Sequence, residues 1–315
     1  MSILVCGSIA YDNIMFFGDR FKNHILPEQI HILNVSFLVP ELRRDFGGCA
    51  GNIAYNLRLL GSDPLIIATV GDDAGDYRQR LDGLGLSQEY VRHVPETFTA
   101  QAFITTDVDD NQITAFHPGA MLFSHQNDVR AASERQPRLA IVAPDGREGM
   151  LRHVEGLAEI AVPFMFDPGQ GLPILSGVEL LRCLELARYC AVNDYEAQLM
   201  CDKTGQSIES LAARVEAFIV TRGSEGSYIH ADGERIEVPA VPPVAIVDPT
   251  GCGDAYRAGL LHGIEQGWDW LSCGRLAAVM GALKINHRGG QNHSSGRAEI
   301  AAMFRSAFGE DPWSE

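Results

Sequence analysis

Short apolar runs recur along this chain at 3–6, 65–70, 139–143, 164–166, 190–192 and 217–220, each followed by glycine or aspartate and then by a longer stretch with helical spacing. Neighbouring parallel strands need a crossover long enough to hold a helix, so this rhythm predicts a mostly parallel sheet covered by helices on both faces, a three-layer α/β/α architecture. Helices are expected over 52–60, where Ile53, Leu57 and Leu60 share a face, over 208–215, and over the alanine-rich 271–286. With 315 residues, 46% of them hydrophobic, the chain has the apolar material for one large core plus a small appendage.

Two regions break the rhythm. Segments 13–17, 31–39, 98–106 and 112–116 are rich in β-branched and aromatic residues and have no helices between them; the last two flank the turn-forming Asp109-Asp110-Asn111. They predict a small β-sheet lid built from 13–40 and 97–118, set over a large domain made of 1–12, 41–96 and 119–309. Such a lid could close over a substrate and exclude water, or simply be a surface meander. A hairpin is expected around Asp232-Gly233, and a loose tail over 310–315.

Charge and cysteine usage narrow the function. The formal net charge of −16 would repel nucleic-acid polymers and anionic membranes. The seven cysteines show no C-x-x-C pairing and mostly sit in apolar segments, as reduced cysteines do. The first residues carry no basic leader, and no apolar run approaches the roughly 18 residues of a membrane span, so a cytoplasmic protein is the expectation. Both a monomer and a homodimer are compatible with an exposed lid edge.

The densest chemistry lies in Asp248-Pro249-Thr250-Gly251-Cys252-Gly253-Asp254, which precedes a helix-compatible stretch. Glycines at 251 and 253 let backbone N–H groups turn toward an anion at a helix N-terminus, where the peptide dipoles sum to roughly half a positive charge. Asp254 beside it is the candidate general base for phosphoryl transfer to an alcohol. No Gly-Lys-Ser or Gly-Lys-Thr occurs, so this is not a Walker A loop, and the dinucleotide fingerprint Gly-x-Gly-x-x-Gly is missing from Gly7-Ser8-Ile9-Ala10-Tyr11-Asp12.

Four motifs in order resemble the ribokinase-like, or PfkB-type, family of carbohydrate and nucleoside kinases. They are Gly47-Gly48 with Asn52, Asn193-Asp194-Tyr195-Glu196, Thr221-Arg222-Gly223-Ser224-Glu225-Gly226, and the 248–254 run, which fits the family's Asp-x-Thr-Gly-x-Gly-Asp signature at each fixed position. The resemblance implies an ATP-dependent kinase with the three-layer ribokinase-like fold and a small lid. It implies that Asp254 accepts the acceptor's hydroxyl proton while Gly251, Cys252 and Gly253 stabilise the phosphoryl group. Asn193 and Glu196 would organise Mg²⁺ and its waters, although such a pair is more often a helix cap. Thr221, Arg222, Gly223 and Gly226 would line the ATP site, with Arg222 supplying positive charge. A monovalent cation such as K⁺ is also expected at carbonyls beside Asp248 and the Arg288-Gly289-Gly290 turn.

For the acceptor, Asp12 lies beyond the first strand, where open α/β sheets bind ligands, and a carboxylate there can hold two vicinal hydroxyls. The resemblance assigns that grip to Asp12, Gly48 and Asn52. Cys49 stands where ribokinases typically carry lysine, which disfavours a free pentose. Ser8 lies near enough to Asp12 to share its pocket, and Gln101, Phe103, Phe116 and Phe37 on the lid could receive a planar base. Together with a closer likeness to bacterial adenosine or broad-specificity nucleoside kinases, these residues point to a nucleoside, most of all adenosine, phosphorylated on its 5′-hydroxyl. The alternatives are a sugar kinase for ribose, fructose or a hexose phosphate, the last requiring Arg43 and Arg44 as a basic cluster, and a non-catalytic nucleoside or nucleotide sensor.

Overall fold

The computed structural model describes residues 2–25, 34–310 and 312–313. The chain opens with β1 (Ser2–Cys6) and leaves the main sheet at once for β2 (Ala10–Phe16) and β3 (Glu41–Gly47). Helix α1 (Cys49–Leu60), β4 (Asp63–Val70), α2 (Gly75–Gly83) and the short β5 (Val91–His93) follow. The chain leaves again for β6 (Ala100–Thr106) and β7 (Gln112–His117). It then alternates through β8 (Leu139–Val142), α3 (Arg147–Glu159), β9 (Phe164–Phe166), α4 (Gly177–Leu186), β10 (Tyr189–Asn193), α5 (Asp194–Thr204), α6 (Ile208–Ala212) and β11 (Ala217–Thr221). A hairpin of β12 (Ser227–Ala231) and β13 (Glu234–Val238) precedes α7 (Cys252–Gln266), α8 (Trp270–Lys284) and α9 (Arg297–Phe308).

The large sheet runs β13-β12-β11-β10-β9-β8-β1-β4-β5, parallel except at the β11–β12 and β12–β13 pairs. Its strands are apolar on both faces because helices cover both. In β1, Ile3 and Val5 pack into the core under α1 and α7, while Leu4 and Cys6 join Met150, Leu180 and Met200 on the opposite side. The same alternation in β4 and β8 divides the apolar residues between two cores, which makes the three-layer α/β/α architecture expected from the rhythm.

The small sheet has the order β3-β2-β6-β7. Its strand near residue 40 differs from expectation: 34–39 form no strand, 31–33 lie outside the described residues, and β3 spans Glu41–Gly47 instead. Phe37 packs with Phe17 and Phe21 in an aromatic cluster. In the polar run Glu41-Leu42-Arg43-Arg44-Asp45 the strand alternation puts Arg43 and Asp45 on one face and Arg44 on the other. The tail also departs from expectation: Trp313 meets Trp268 edge-on, and its indole N–H donates to His262 Nε2 at 3.3 Å. All seven cysteines are free thiols. Among the described residues no helix is long and apolar enough to cross a membrane.

Candidate active site

The carboxyl ends of the parallel strands meet the small sheet and the N-terminus of α7, and a subset of the expected residues, Asp12, Gly48, Asn52 and Asp254 among them, lies there. Gly251, in a left-handed conformation (φ 78°), turns the chain into α7 and brings Asp254 into its first turn. Asn52, in the first turns of α1, donates Nδ2–H to Asp254 Oδ2 at 2.8 Å. Burial pushes the Asp254 carboxyl up to about 6, against the opposing Asn52 hydrogen bond. The amide of Asn52 is itself fixed: Gln291 Nε2 donates to Asn52 Oδ1 (3.1 Å) and to the Tyr77 hydroxyl (2.7 Å), which donates to the Gly47 carbonyl (2.7 Å). One relay of hydrogen bonds thus ties the Gly47-Gly48 turn to the carboxylate 202 residues away along the chain from Asn52.

Gly48 is required by the turn. Its φ of 85° is left-handed, and a Cβ there would stand 2.6 Å from the Ala10 nitrogen and the Ser8 carbonyl oxygen. The same approach leaves Ser8 Oγ to accept from the Cys49 N–H at 3.1 Å, so Ser8 anchors the start of α1. Asp12 lies on β2 opposite Asp45 of β3. Burial, then the neighbouring Asp45, Asp254 and Asp248, push its carboxyl up to about 6, with Arg43 acting in the other direction.

Strand alternation divides the expected base contacts. Asp12 and Phe116 share one face of the small sheet with Asp45 and Arg43, whereas Gln101 and Phe103 share the other with Tyr11 and Asn13. The expected grouping of Gln101 and Phe103 with Asp12 therefore fails. The Gln101 amide also has protein partners, donating to Asp73 Oδ2 (2.8 Å) and accepting from Asn13 Nδ2 (3.2 Å). Phe116, half-exposed, remains on the Asp12 face. Arg43 and Arg44 diverge likewise: Arg43 pairs with Asp45 at 2.7 Å, while Arg44 donates to Asn13 and lies over the Tyr11 ring.

Behind the 248–254 loop lies a largely apolar cavity of about 530 Å³, whose lining includes Thr221, Gly223, Gly226, Cys252, Gly253 and Ala278. Its walls are mainly aliphatic, with Val241, Pro242 and Ile246 opposite α8. Arg222 does not line it. Its guanidinium is turned to Glu237 (2.8 Å) and lies over the Tyr228 ring, because the β12–β13 hairpin offers a carboxylate and an aromatic face closer than the cavity. A second positive charge, buried, lies at Arg257, one turn along α7 from Gly253. Buried Arg257 holds Asp167 with two hydrogen bonds (3.0 and 3.2 Å), and its Nη2 stands 4.0 Å from Glu196. Sequence reading missed it because an arginine inside an apolar helix carries no spacing signal; the buried carboxylate partner sits 90 residues away.

Asn193 and Glu196 form a reciprocal cap on α5, with Asn193 Oδ1 accepting from the Glu196 N–H (2.7 Å) and Glu196 Oε2 from the Asn193 N–H (2.8 Å). Neither lines the aliphatic cavity. Burial, then Asp167, raises the Glu196 carboxyl, while the Asn193 N–H and Arg257 oppose that rise. The cap leaves one Glu196 oxygen, Oε1, outside its own hydrogen bond, which suits a magnesium held through water by one carboxylate and substrate phosphates.

The Cys252 N–H, expected in the anion hole, turns back onto the Pro249 carbonyl at 3.1 Å. The Asp248 carbonyl, expected beside a monovalent cation, accepts from Lys284 Nζ at 2.7 Å. The Asp248 side chain is structural, accepting from the N–H groups of Thr250 (2.9 Å) and Gly289 (2.8 Å); these outweigh burial and hold its carboxyl below the usual range.

A carboxylate with raised proton affinity, a helix N-terminus and a neighbouring cavity define a phosphotransferase-like α/β site. The chain belongs to the pfkB family of carbohydrate kinases, whose model matches residues 12–296. It is similar to a nucleoside kinase of Methanothermobacter thermautotrophicus, 30% identical over 98% of this chain and 97% of that one. Among solved structures, a Burkholderia thailandensis nucleoside kinase in complex with inosine superposes with a TM-score of 0.90 at 57% identity, covering 98% of this chain and 99% of that one. The same Burkholderia protein has been solved with ADP and inosine, at TM-score 0.88 and 58% identity over 99% and 98% of the two chains.

Proposed function

We propose that this protein is an ATP- and Mg²⁺-dependent nucleoside kinase that phosphorylates the 5′-hydroxyl of a purine nucleoside, adenosine and inosine being the acceptors in view. The observation that carries the reading is Asp254, partly buried, with its proton affinity raised and its Oδ2 held by Asn52 beside the N-terminus of α7. Likeness to the Burkholderia nucleoside kinase across nearly the whole chain supports the acceptor class. Asp254 takes the hydroxyl proton as the oxygen attacks. Charge on the transferring phosphoryl group meets the N–H groups of Gly251 and Gly253 at the positive end of the helix, with the Arg257 guanidinium behind them. Asp12 holds the ribose hydroxyls, and Phe116 on the same lid face covers the base. Thr221, Gly223 and Gly226 border the donor nucleotide. Glu196, oriented by its cap with Asn193, would hold a magnesium ion through water; when bound, the ion neutralises charge on the donor phosphates.

A carbohydrate acceptor is the second reading, favoured by the breadth of the family. The divergence of Arg43 and Arg44 counts against a phosphorylated hexose, whose phosphate would need both on one side. ADP release measured with ATP, Mg²⁺ and, in turn, adenosine, inosine, cytidine, ribose, fructose and fructose 6-phosphate tests the choice. Turnover is expected with purine nucleosides, and turnover confined to sugars would overturn the proposal.

A further inference from the structure

Lys284, the last residue of α8, is 0% exposed, and its ammonium donates to the carbonyl oxygens of Asp248 (2.7 Å) and His287 (3.0 Å). A fully buried lysine is costly unless its charge is met, and carbonyl oxygens at these distances meet it as they would meet a bare cation. The two carbonyls belong to the two segments that frame the active-site loop: Asp248 begins the run that leads into α7, and His287 begins the turn to Gly289-Gly290. These segments are also joined by the Gly289 N–H, which donates to Asp248 Oδ2, and by the Val247 N–H, which donates to the Ile285 carbonyl. The ammonium therefore closes a bracket around the loop that bears Gly251 and Gly253.

This is the place where the family resemblance leads one to expect a monovalent cation, and the residues present do not fit one. Potassium would need several of the same oxygens, and an ammonium tethered at 2.7 and 3.0 Å already holds two of them. Burial pushes the Lys284 amine down from its ordinary value, but nearby Cys252, Asp248, Asp45 and Asp254 oppose that shift.

We infer that Lys284 is a built-in cation that holds the phosphate-binding loop in its working shape, so that the protein needs no potassium for stability or for turnover. Lys284 acts through the loop and is a positioning residue. Only the rate arm of the test rests on the nucleoside kinase reading. Thermal unfolding of the full-length protein is compared in potassium chloride and tetramethylammonium chloride at matched ionic strength, together with inosine phosphorylation in the same salts. The wild-type melting temperature and rate should be equal in the two salts. Lys284→Met should lose about 100-fold in kcat in tetramethylammonium, as expected for a displaced catalytic loop, and should regain both rate and melting temperature when potassium replaces it. Lys284→Gln, which keeps a polar side chain, serves if the methionine variant does not fold. A wild-type protein stabilised or activated by potassium would overturn the inference. So would a folded Lys284 variant whose stability shows no response to potassium. Absence of turnover in every salt would strike the nucleoside reading alone, since the melting comparison still judges Lys284.

Discussion

Asp254 is built to bind a proton more tightly than an ordinary carboxylate, and this has two consequences of opposite sign. As a base it must be ionised, so kcat should fall as pH drops through about 6, the value to which burial pushes it. Asn52→Leu removes the hydrogen bond that favours the ionised form, and the acidic limb of the kcat profile should move to higher pH; an unmoved limb would deny the coupling. For stability the raised folded-state value means that the site favours folding when protonated, below the unfolded carboxyl value near 3.8, and that this contribution is lost as pH rises through about 6. Asp254→Asn should therefore lose roughly 10²- to 10⁴-fold in kcat, while nucleotide affinity stays near wild type. It should also melt higher than wild type at pH 8, with the gain vanishing near pH 4. A variant that turns over normally would remove Asp254 from the proton transfer.

At the scale of elements, α7 carries most of the chemistry, and its first turn offers a clean separation of fold from function. A Cβ at Gly253 would meet only the Arg257 Nη1, at 3.7 Å, so alanine fits the folded protein without strain. Gly253 itself is part of the cavity wall at the helix N-terminus, so the added methyl changes the surface the phosphoryl group would meet. Gly253→Ala should keep its melting temperature and lose about 10²-fold in kcat, the usual cost of disturbing one oxyanion donor; an unchanged kcat would move the phosphoryl group away from this turn. The helices were largely legible in advance because apolar spacing reports them: α1 and α8 begin and end within three residues of the expected 52–60 and 271–286. Strand β3 was not anticipated, since its residues serve polar pairing more than burial: Arg43 meets Asp45 within the strand, and Arg44 donates to Asn13 on β2.

For the whole molecule, the sequence made the motifs visible and the topology decided what they face. Asp12, Gly48, Asn52 and Asp254 come together because β2 and β3 of the small sheet meet the starts of α1 and α7 beyond the carboxyl end of β1. Gln101, Phe103 and Arg222 could not be oriented from composition. A strand residue's face depends on a register that only the paired sheet defines, and an arginine goes to whichever carboxylate lies nearest. Arg257 and Lys284 lay hidden for the converse reason, charged residues in apolar helices whose partners are remote in the chain. Transfer of a phosphoryl group to a nucleoside 5′-oxygen by this constellation is tested most directly by NMR of the product formed from inosine and ATP. A phosphorus resonance coupled to the 5′ protons of the nucleoside is expected; phosphate on another ribose oxygen, or no phosphorylated nucleoside at all, would contradict 5′ transfer.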